Sequence, residues 1–371
     1  MKTSIQIGTV MGIPIKIHIS FLLVLVLFPV IFSVDPVFGF ADVEYVPLRY
    51  ALAMILTILL FSCVLLHELG HSWIARSYGI GIRNITLILL GGIAAMEEIP
   101  RDPRKELRIS IAGPLVSLAI GVLSYLVYLV FHSISQAPML LHITHLIHSL
   151  AYFNLILFGF NLIPAFPMDG GRMLRAWYAS RMPYLHATRK AVHIGKMFAV
   201  AMGMFGLFTL NVNGFWLILI AIFIYIGASE EEKYAEVSVT LEGIKVRNLM
   251  TRDIAYVPDN ISISELLRLM FEKKHLGYPV VDQFTGNIVG IVTFTDIKNV
   301  PMNEHDTVLV RDVMTTDVIS ISEDADAMDA LKMLSSHNIG RLLVQDNGRV
   351  VGIVSRTDLM RSIEVLGYSE R

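Results

Sequence analysis

The first 229 residues carry six apolar stretches, and crossing the hydrocarbon core of a bilayer takes a helix of about 20 mostly apolar residues. The stretches lie near 18–34, 48–75, 108–132, 142–163, 190–210 and 213–229. The first four read as full crossings. The last two are short and joined by Leu210-Asn211-Val212-Asn213-Gly214, so they read either as crossings or as a hairpin that only dips into the membrane. Charge is distributed to match. Residues 1–229 hold 15 Lys and Arg with 9 Asp and Glu, whereas the shorter remainder holds 15 and 23. A membrane domain is therefore followed by a water-soluble one. The overall balance of −2 offers no bulk basic surface for nucleic acid. The single cysteine, Cys63, excludes an intrachain disulfide and a cysteine-based zinc site. The N-terminus shows no clear signal-peptide pattern.

Loop charges give an orientation. Segments 35–48, 133–141 and 209–214 contain no Lys or Arg. By contrast, segment 76–108 carries Arg76, Arg83, Arg101, Arg104, Lys105 and Arg108, and segment 172–190 carries Arg172, Arg175, Arg181, Arg189 and Lys190. Arg49 is the one dissenter. The excess of positive charge on cytoplasmic loops then puts both termini and the soluble domain in the cytoplasm of a multi-pass protein of the cell membrane. Between the second and third stretches, Ile80 to Met96 is too short and too broken by Gly91-Gly92 to span. It reads as a β-hairpin or membrane-dipping strand, or else as a plain loop. A strand there would leave an edge that an extended peptide can pair with, at Gly91 and Gly92.

The second stretch ends Leu66-His67-Glu68-Leu69-Gly70-His71. Positions four apart share a helix face, so His67 and His71 can reach one metal ion, with Glu68 beside them to take a proton from water. Burying the carboxylate alone at the centre of a membrane helix costs about 2.5–3.5 kcal/mol, so an unpaired cluster there is hard to sustain. A structural polar cluster between helices is the competing reading. A hydrolytic zinc wants three protein ligands and an open position. Asp169, in Asn161-Leu-Ile-Pro164-Ala-Phe-Pro167-Met-Asp169-Gly170, lies just before the inner boundary, as does His67. The two prolines break the helix, which is tolerated at depth only where backbone is buried in protein or lines a cavity. His142, His145 and His148 fall at the outer side and read as interfacial or packing residues.

Together, His67-Glu68-Leu69-Gly70-His71, Gly91-Gly92, Ala112-Gly113-Pro114 and Asn161-x-x-Pro164-x-x-Pro167-x-Asp169-Gly170 resemble the site-2 protease family of intramembrane zinc metalloproteases, over residues 1–229. The resemblance implies that His67, His71 and Asp169 hold one Zn2+ per chain. It implies Glu68 as catalytic base and acid, and Asn161 as a group that holds the substrate carbonyl or oxyanion. Ser117 stands where many relatives carry Asn. In this reading a transmembrane protein is the substrate. Its helix unwinds, and the Gly91-Gly92 strand holds the unwound stretch.

Beyond a charged linker at 230–239 the sequence repeats. Val246-Arg-Asn-Leu-Met250 recurs as Val310-Arg-Asp-Val-Met314, and Gly290-Ile-Val-Thr-Phe-Thr-Asp296 as Gly352-Ile-Val-Ser-Arg-Thr-Asp358. A fixed period means duplicated modules of one fold, each a strand, helix, strand, strand and helix. This half resembles a tandem pair of CBS domains, at 240–303 and 304–371. The resemblance implies an adenine nucleotide bound by Thr293, Thr295, Asp296, Ser355, Thr357 and Asp358, and a homodimer formed through the pair. The same residues before a helix also read as ordinary N-caps.

The expected fold is thus a multi-pass α-helical membrane protein of about six transmembrane helices with a short β segment, followed by an α+β tandem CBS domain. The expected function is regulated intramembrane proteolysis by a zinc endopeptidase, modulated by a cytosolic nucleotide-sensing pair. A CBS-regulated transporter or channel is the alternative. Transport would place paired charges across the middle of the membrane, whereas here they gather at one inner depth in zinc-ligand spacing.

Overall fold

The chain alternates strand pairs with long apolar helices and then changes to short mixed modules. In the computed structural model, which describes residues 4–89, 91–96, 100–134, 138–209 and 212–369, it forms two compact units, Met1–Ala235 and Glu236–Arg371.

The first unit opens with a hairpin that the sequence reading missed. β1 (Ser4–Val10) and β2 (Ile13–His18) pair antiparallel around a two-residue turn. Met11 and Gly12 there have φ of 53° and 76°, the left-handed geometry that suits tight hairpins. Ile13, Ile15 and Ile17 alternate with Pro14, Lys16 and His18, and Ile13 and Ile15 are buried. β2 runs parallel to β3 (Ile82–Ile88), which pairs antiparallel with β4 (Gly91–Met96). The Gly-Gly segment is therefore a strand at the edge of a four-stranded sheet, in the order β1-β2-β3-β4.

Among the described residues, five helices are long and apolar enough to cross a membrane. They are α2 (Val46–Ser77), α3 (Pro103–Ile134), α4 (Pro138–Asn161), α6 (Tyr184–Thr209) and α7 (Val212–Thr240). The short helix is the first, α1 (Phe21–Val34), with Pro29 inside it. Its 14 residues reach about 21 Å, less than the hydrocarbon thickness of about 30 Å. The two segments expected to be short instead form long helices, while the Leu210-Asn211 joint lies outside the described residues. α5 (Asp169–Ala179) is a short amphipathic helix following the proline turn. Exposed Leu23 and Val26 on α1, and Phe205 and Phe208 on α6, suit contact with lipid.

The charged segment 230–239 is the last part of α7 rather than loose chain. Lys196 Nζ donates to Glu232 Oε2 at 2.9 Å, which ties this segment to α6.

In the second unit, one module is β5 (Val257–Pro258), α8 (Ile263–Lys273), β6 (Gly277–Val281), β7 (Ile288–Thr293) and α9 (Phe294–Ile297). After α10 (Val310–Val313), the other is β8 (Ser320–Ser322), α11 (Ala327–Ser336), β9 (Arg341–Asp346), β10 (Arg349–Ser355) and α12 (Arg356–Ser369). Each module has a three-stranded sheet with one parallel and one antiparallel pairing. The repeated openings are exchanged. Val246 and Met250 join the second module's core, and Val310 joins the first module's. Gly352 and Gly290 leave room for this: a Cβ on Gly352 would lie 2.5 Å from Met250 Sδ, and one on Gly290 would lie 2.7 Å from Met314 Sδ.

Candidate metal centre

α2 carries His67 and His71 on one face, 4 % and 6 % exposed. Asp169 comes from the first turn of α5, 8 % exposed. What brings it there is a tight turn. A Cβ on Gly170 would fall 2.3 Å from the Ile163 carbonyl oxygen, and one on Gly171 would fall 2.6 Å from Phe166 N. Only glycines let α5 start directly against the preceding proline turn. Gly195 of α6 and Gly227 of α7 pack on Ala165 and Pro167 of the same turn.

The three donor atoms converge. His67 Nε2 and His71 Nε2 are 3.1 Å apart, and each lies 3.2 Å from Asp169 Oδ2. Donors about 2.0–2.1 Å from one tetrahedral ion stand about 3.3 Å from one another, so the trio fits zinc in spacing and in donor chemistry. Among the described residues this is the one group that meets the geometry for a metal ion.

The unused ring nitrogens are also engaged. His71 Nδ1 donates to the Ile109 carbonyl at 2.7 Å. That puts the proton on Nδ1 and leaves the Nε2 lone pair facing its partners. His67 Nδ1 pairs with buried Ser117 Oγ at 2.9 Å. Both partners lie on α3, as does Gly113. A Cβ there would fall 2.2 Å from His71 Nε2 and 2.6 Å from His67 Nε2. The spacing Ile109, Gly113, Ser117 follows one helix face, so a single stripe of α3 braces both histidines. Gly113 stands in a motif visible in the sequence, whereas Ser117 acquires its role only from the packing of α3 on α2.

Glu68, next to His67 on α2, lies against β4. A Cβ on Gly92 would meet Glu68 Cγ at 2.6 Å and Oε1 at 3.3 Å. The edge strand therefore runs beside the carboxylate, and the glycine is what permits that approach. Asn161, at the end of α4, donates its side-chain amide to the Leu157 carbonyl at 2.9 Å. It makes no hydrogen bond to the trio among the described residues.

In the second unit, the proposed nucleotide residues sit at two helix starts. Asp296 Oδ2 accepts from Thr293 N and from Thr293 Oγ1, both at 2.7 Å. Asp358 Oδ2 accepts from Ser355 N at 2.9 Å and Ser355 Oγ at 2.6 Å. These are capping contacts. Thr295 and Thr357 are exposed at the second position of each helix.

A buried charged group also escaped the sequence reading. Arg175 of α5 is fully buried, and its Nε donates to Glu106 Oε1 at 2.8 Å. Its Nη1 donates to Glu231 Oε1 at 2.6 Å. In the sequence, Arg175 counts only as one of the basic loop residues that set the orientation.

A model of peptidase family M50 matches residues 55–141 and 131–203, and a CBS domain model matches 246–303 and 310–365. The chain is 40 % identical over 371 residues to a zinc metalloprotease of Methanocaldococcus jannaschii, covering 100 % of this chain and 99 % of that one. It is 28 % identical over 227 residues to the stage IV sporulation protein FB of Bacillus subtilis, covering 61 % of this chain and 72 % of that protein. A solved site-2 protease from Methanocaldococcus jannaschii shares 43 % identity, covering 62 % of this chain and 95 % of that one, with a TM-score of 0.45.

Proposed function

The chain belongs to peptidase family M50 and carries a tandem CBS pair, and from that premise we propose that His67, His71 and Asp169 hold the zinc ion while Glu68 performs the proton transfers of peptide hydrolysis. The protein is a membrane zinc metalloprotease, and nothing favours the transport alternative. The observation that carries the site assignment is the triangle of donor atoms, 3.1–3.2 Å on each side.

Bound zinc supplies Lewis acidity to the scissile carbonyl and to the attacking water. The rest is done by the chain. Ile109 and Ser117 hold the imidazoles in one orientation. Glu68 takes a proton from the water and later delivers it to the leaving amine. The substrate is a transmembrane segment of another membrane protein. Its peptide bonds must leave the helix before a carbonyl can be attacked, and the free edge of β4 at Gly91 and Gly92 offers backbone partners to the unwound stretch. Asn161 gives one side-chain N–H to Leu157, and its second N–H would serve the substrate carbonyl. The loop charges support a cytoplasmic location for both termini and for the second unit. There the Ser355–Asp358 and Thr293–Asp296 pairs, with Thr295 and Thr357, would bind an adenine nucleotide that modulates cleavage, and the pair would form a homodimer.

The test is zinc content of the purified full-length chain, beside His67→Ala, Asp169→Asn and Glu68→Gln. One zinc per chain in the parent and in Glu68→Gln, lost or weakened in the other two, is the expected result. Equal zinc in all four would refute the ligand assignment. Glu68→Gln should also abolish cleavage of a membrane substrate, and undiminished turnover would refute its role.

A further inference from the structure

The α3 stripe that braces the histidines extends one turn further, to Glu106, three residues before Ile109. Glu106 is 3 % exposed and bonds Arg175, which is fully buried on the helix that delivers Asp169. A buried guanidinium and its carboxylates are costly to desolvate, and apolar side chains of similar size often stabilise as well or better. Stability alone is therefore a poor reason for such a group in this position.

Its connections give a better one. The Arg175 guanidinium lies 4.9 Å from the centre of the Phe166 ring, and Phe166 belongs to the turn that ends at Asp169. Its two bonded carboxylates come from different helices, Glu106 from α3 and Glu231 from α7. Arg175 thus joins the helix and turn that carry the third ligand to the helix that braces the other two.

We propose that Arg175 is a positioning residue that keeps Asp169 in register with His67 and His71, by fastening α5 to α3 through Glu106 and to α7 through Glu231. The proposal rests on the metal-site reading above. Arginine is suited to the task because its rigid fork can hold two carboxylates at once, which a lysine ammonium at the same depth does less well.

The experiment measures zinc affinity of the full-length protein by chelator competition, together with the melting temperature of the zinc-free protein. The variants are Arg175→Lys, Glu231→Gln and Leu56→Ala, the last truncating a fully buried side chain in the separate core around Phe32 and Phe40. Arg175→Lys and Glu231→Gln should each weaken zinc binding roughly 10- to 100-fold, the range found for groups that orient metal ligands. Leu56→Ala should lower the melting temperature and leave zinc affinity unchanged. Parent-like affinity in either charged variant overturns the proposal, as does an equal loss in Leu56→Ala. If Arg175→Lys does not fold, Glu231→Gln decides alone. A parent chain that binds no zinc would instead sink the metal-site reading itself.

Discussion

Replacing Gly113 by alanine adds one methyl group directly against both candidate metal-binding histidines. Its carbon would fall 2.2 Å from His71 Nε2 and 2.6 Å from His67 Nε2. Ordinary contact needs about 3.5 Å, so the nearer ring must retreat by about 1.3 Å. It has little freedom to do so. His71 Nδ1 is held by the Ile109 carbonyl at 2.7 Å and His67 Nδ1 by Ser117 at 2.9 Å, both on the helix that would carry the methyl. Metal sites tolerate displacements of about 0.5 Å. Disturbing a group that merely orients a ligand costs about 10- to 100-fold in metal affinity. Direct displacement of two donors should therefore cost at least about 100-fold, or about 2.7 kcal/mol. The helix itself should survive, since alanine favours a helix over glycine by about 1 kcal/mol. Chelator competition on the purified variant reads the affinity, and circular dichroism reads the helix content. A folded Gly113→Ala chain that holds zinc as tightly as the parent would refute the placement of α3 against the ligands.

Ser117→Ala removes the partner of His67 Nδ1 and should weaken zinc about 10-fold without changing stoichiometry at saturating metal, read by the same competition. Gly92→Val drives a side chain into Glu68, whose Cγ would lie 2.6 Å from the new Cβ. Turnover should fall at least about 10-fold while zinc is retained, and a variant of parental rate would place β4 elsewhere. Asp35 accepts the backbone N–H of Phe38 at 2.7 Å and those of Val37 and Gly39 at 2.9 and 3.2 Å. The Phe38 bond chiefly, against a smaller opposing effect of burial, holds its carboxyl below the ordinary carboxylate value. A lowered folded pKa contributes stability above the unfolded value, and that stability is lost as pH falls through the folded one. Hydrogen-exchange protection at residues 37–39, relative to the unstructured rate at the same pH, should fall over that acid interval, and Asp35→Asn should remove the dependence.

Much of this architecture was legible in the chain. Apolar run length, charge alternation and the 64-residue echo of Val246–Met250 at Val310–Met314 each depend on local composition or period, and such signals survive without tertiary contacts. His67 and His71 were legible for the same reason, since four residues on a helix is a distance. Asp169 needed a depth argument across 98 residues from His71. The hairpin of β1 and β2 was written in alternating isoleucines but hidden by the larger apolar signal beside it.

Other features existed only once the helices were packed. Nothing local tells Ser117 from any other serine in an apolar helix, or says that the Ile109 carbonyl faces an imidazole. Val246 and Met250 precede one module yet complete the core of the other. Arg175 reads as one more positive charge in a basic loop, and its burial depends on Glu106, 69 residues before it, and on Glu231, 56 residues after it. The sequence by itself determined the apolar runs, the repeat and the types of the candidate metal-binding side chains, because periodicity and chemistry are local. The tertiary structure alone decided which backbone and side-chain groups hold those side chains still, because that depends on contacts between segments far apart in the chain.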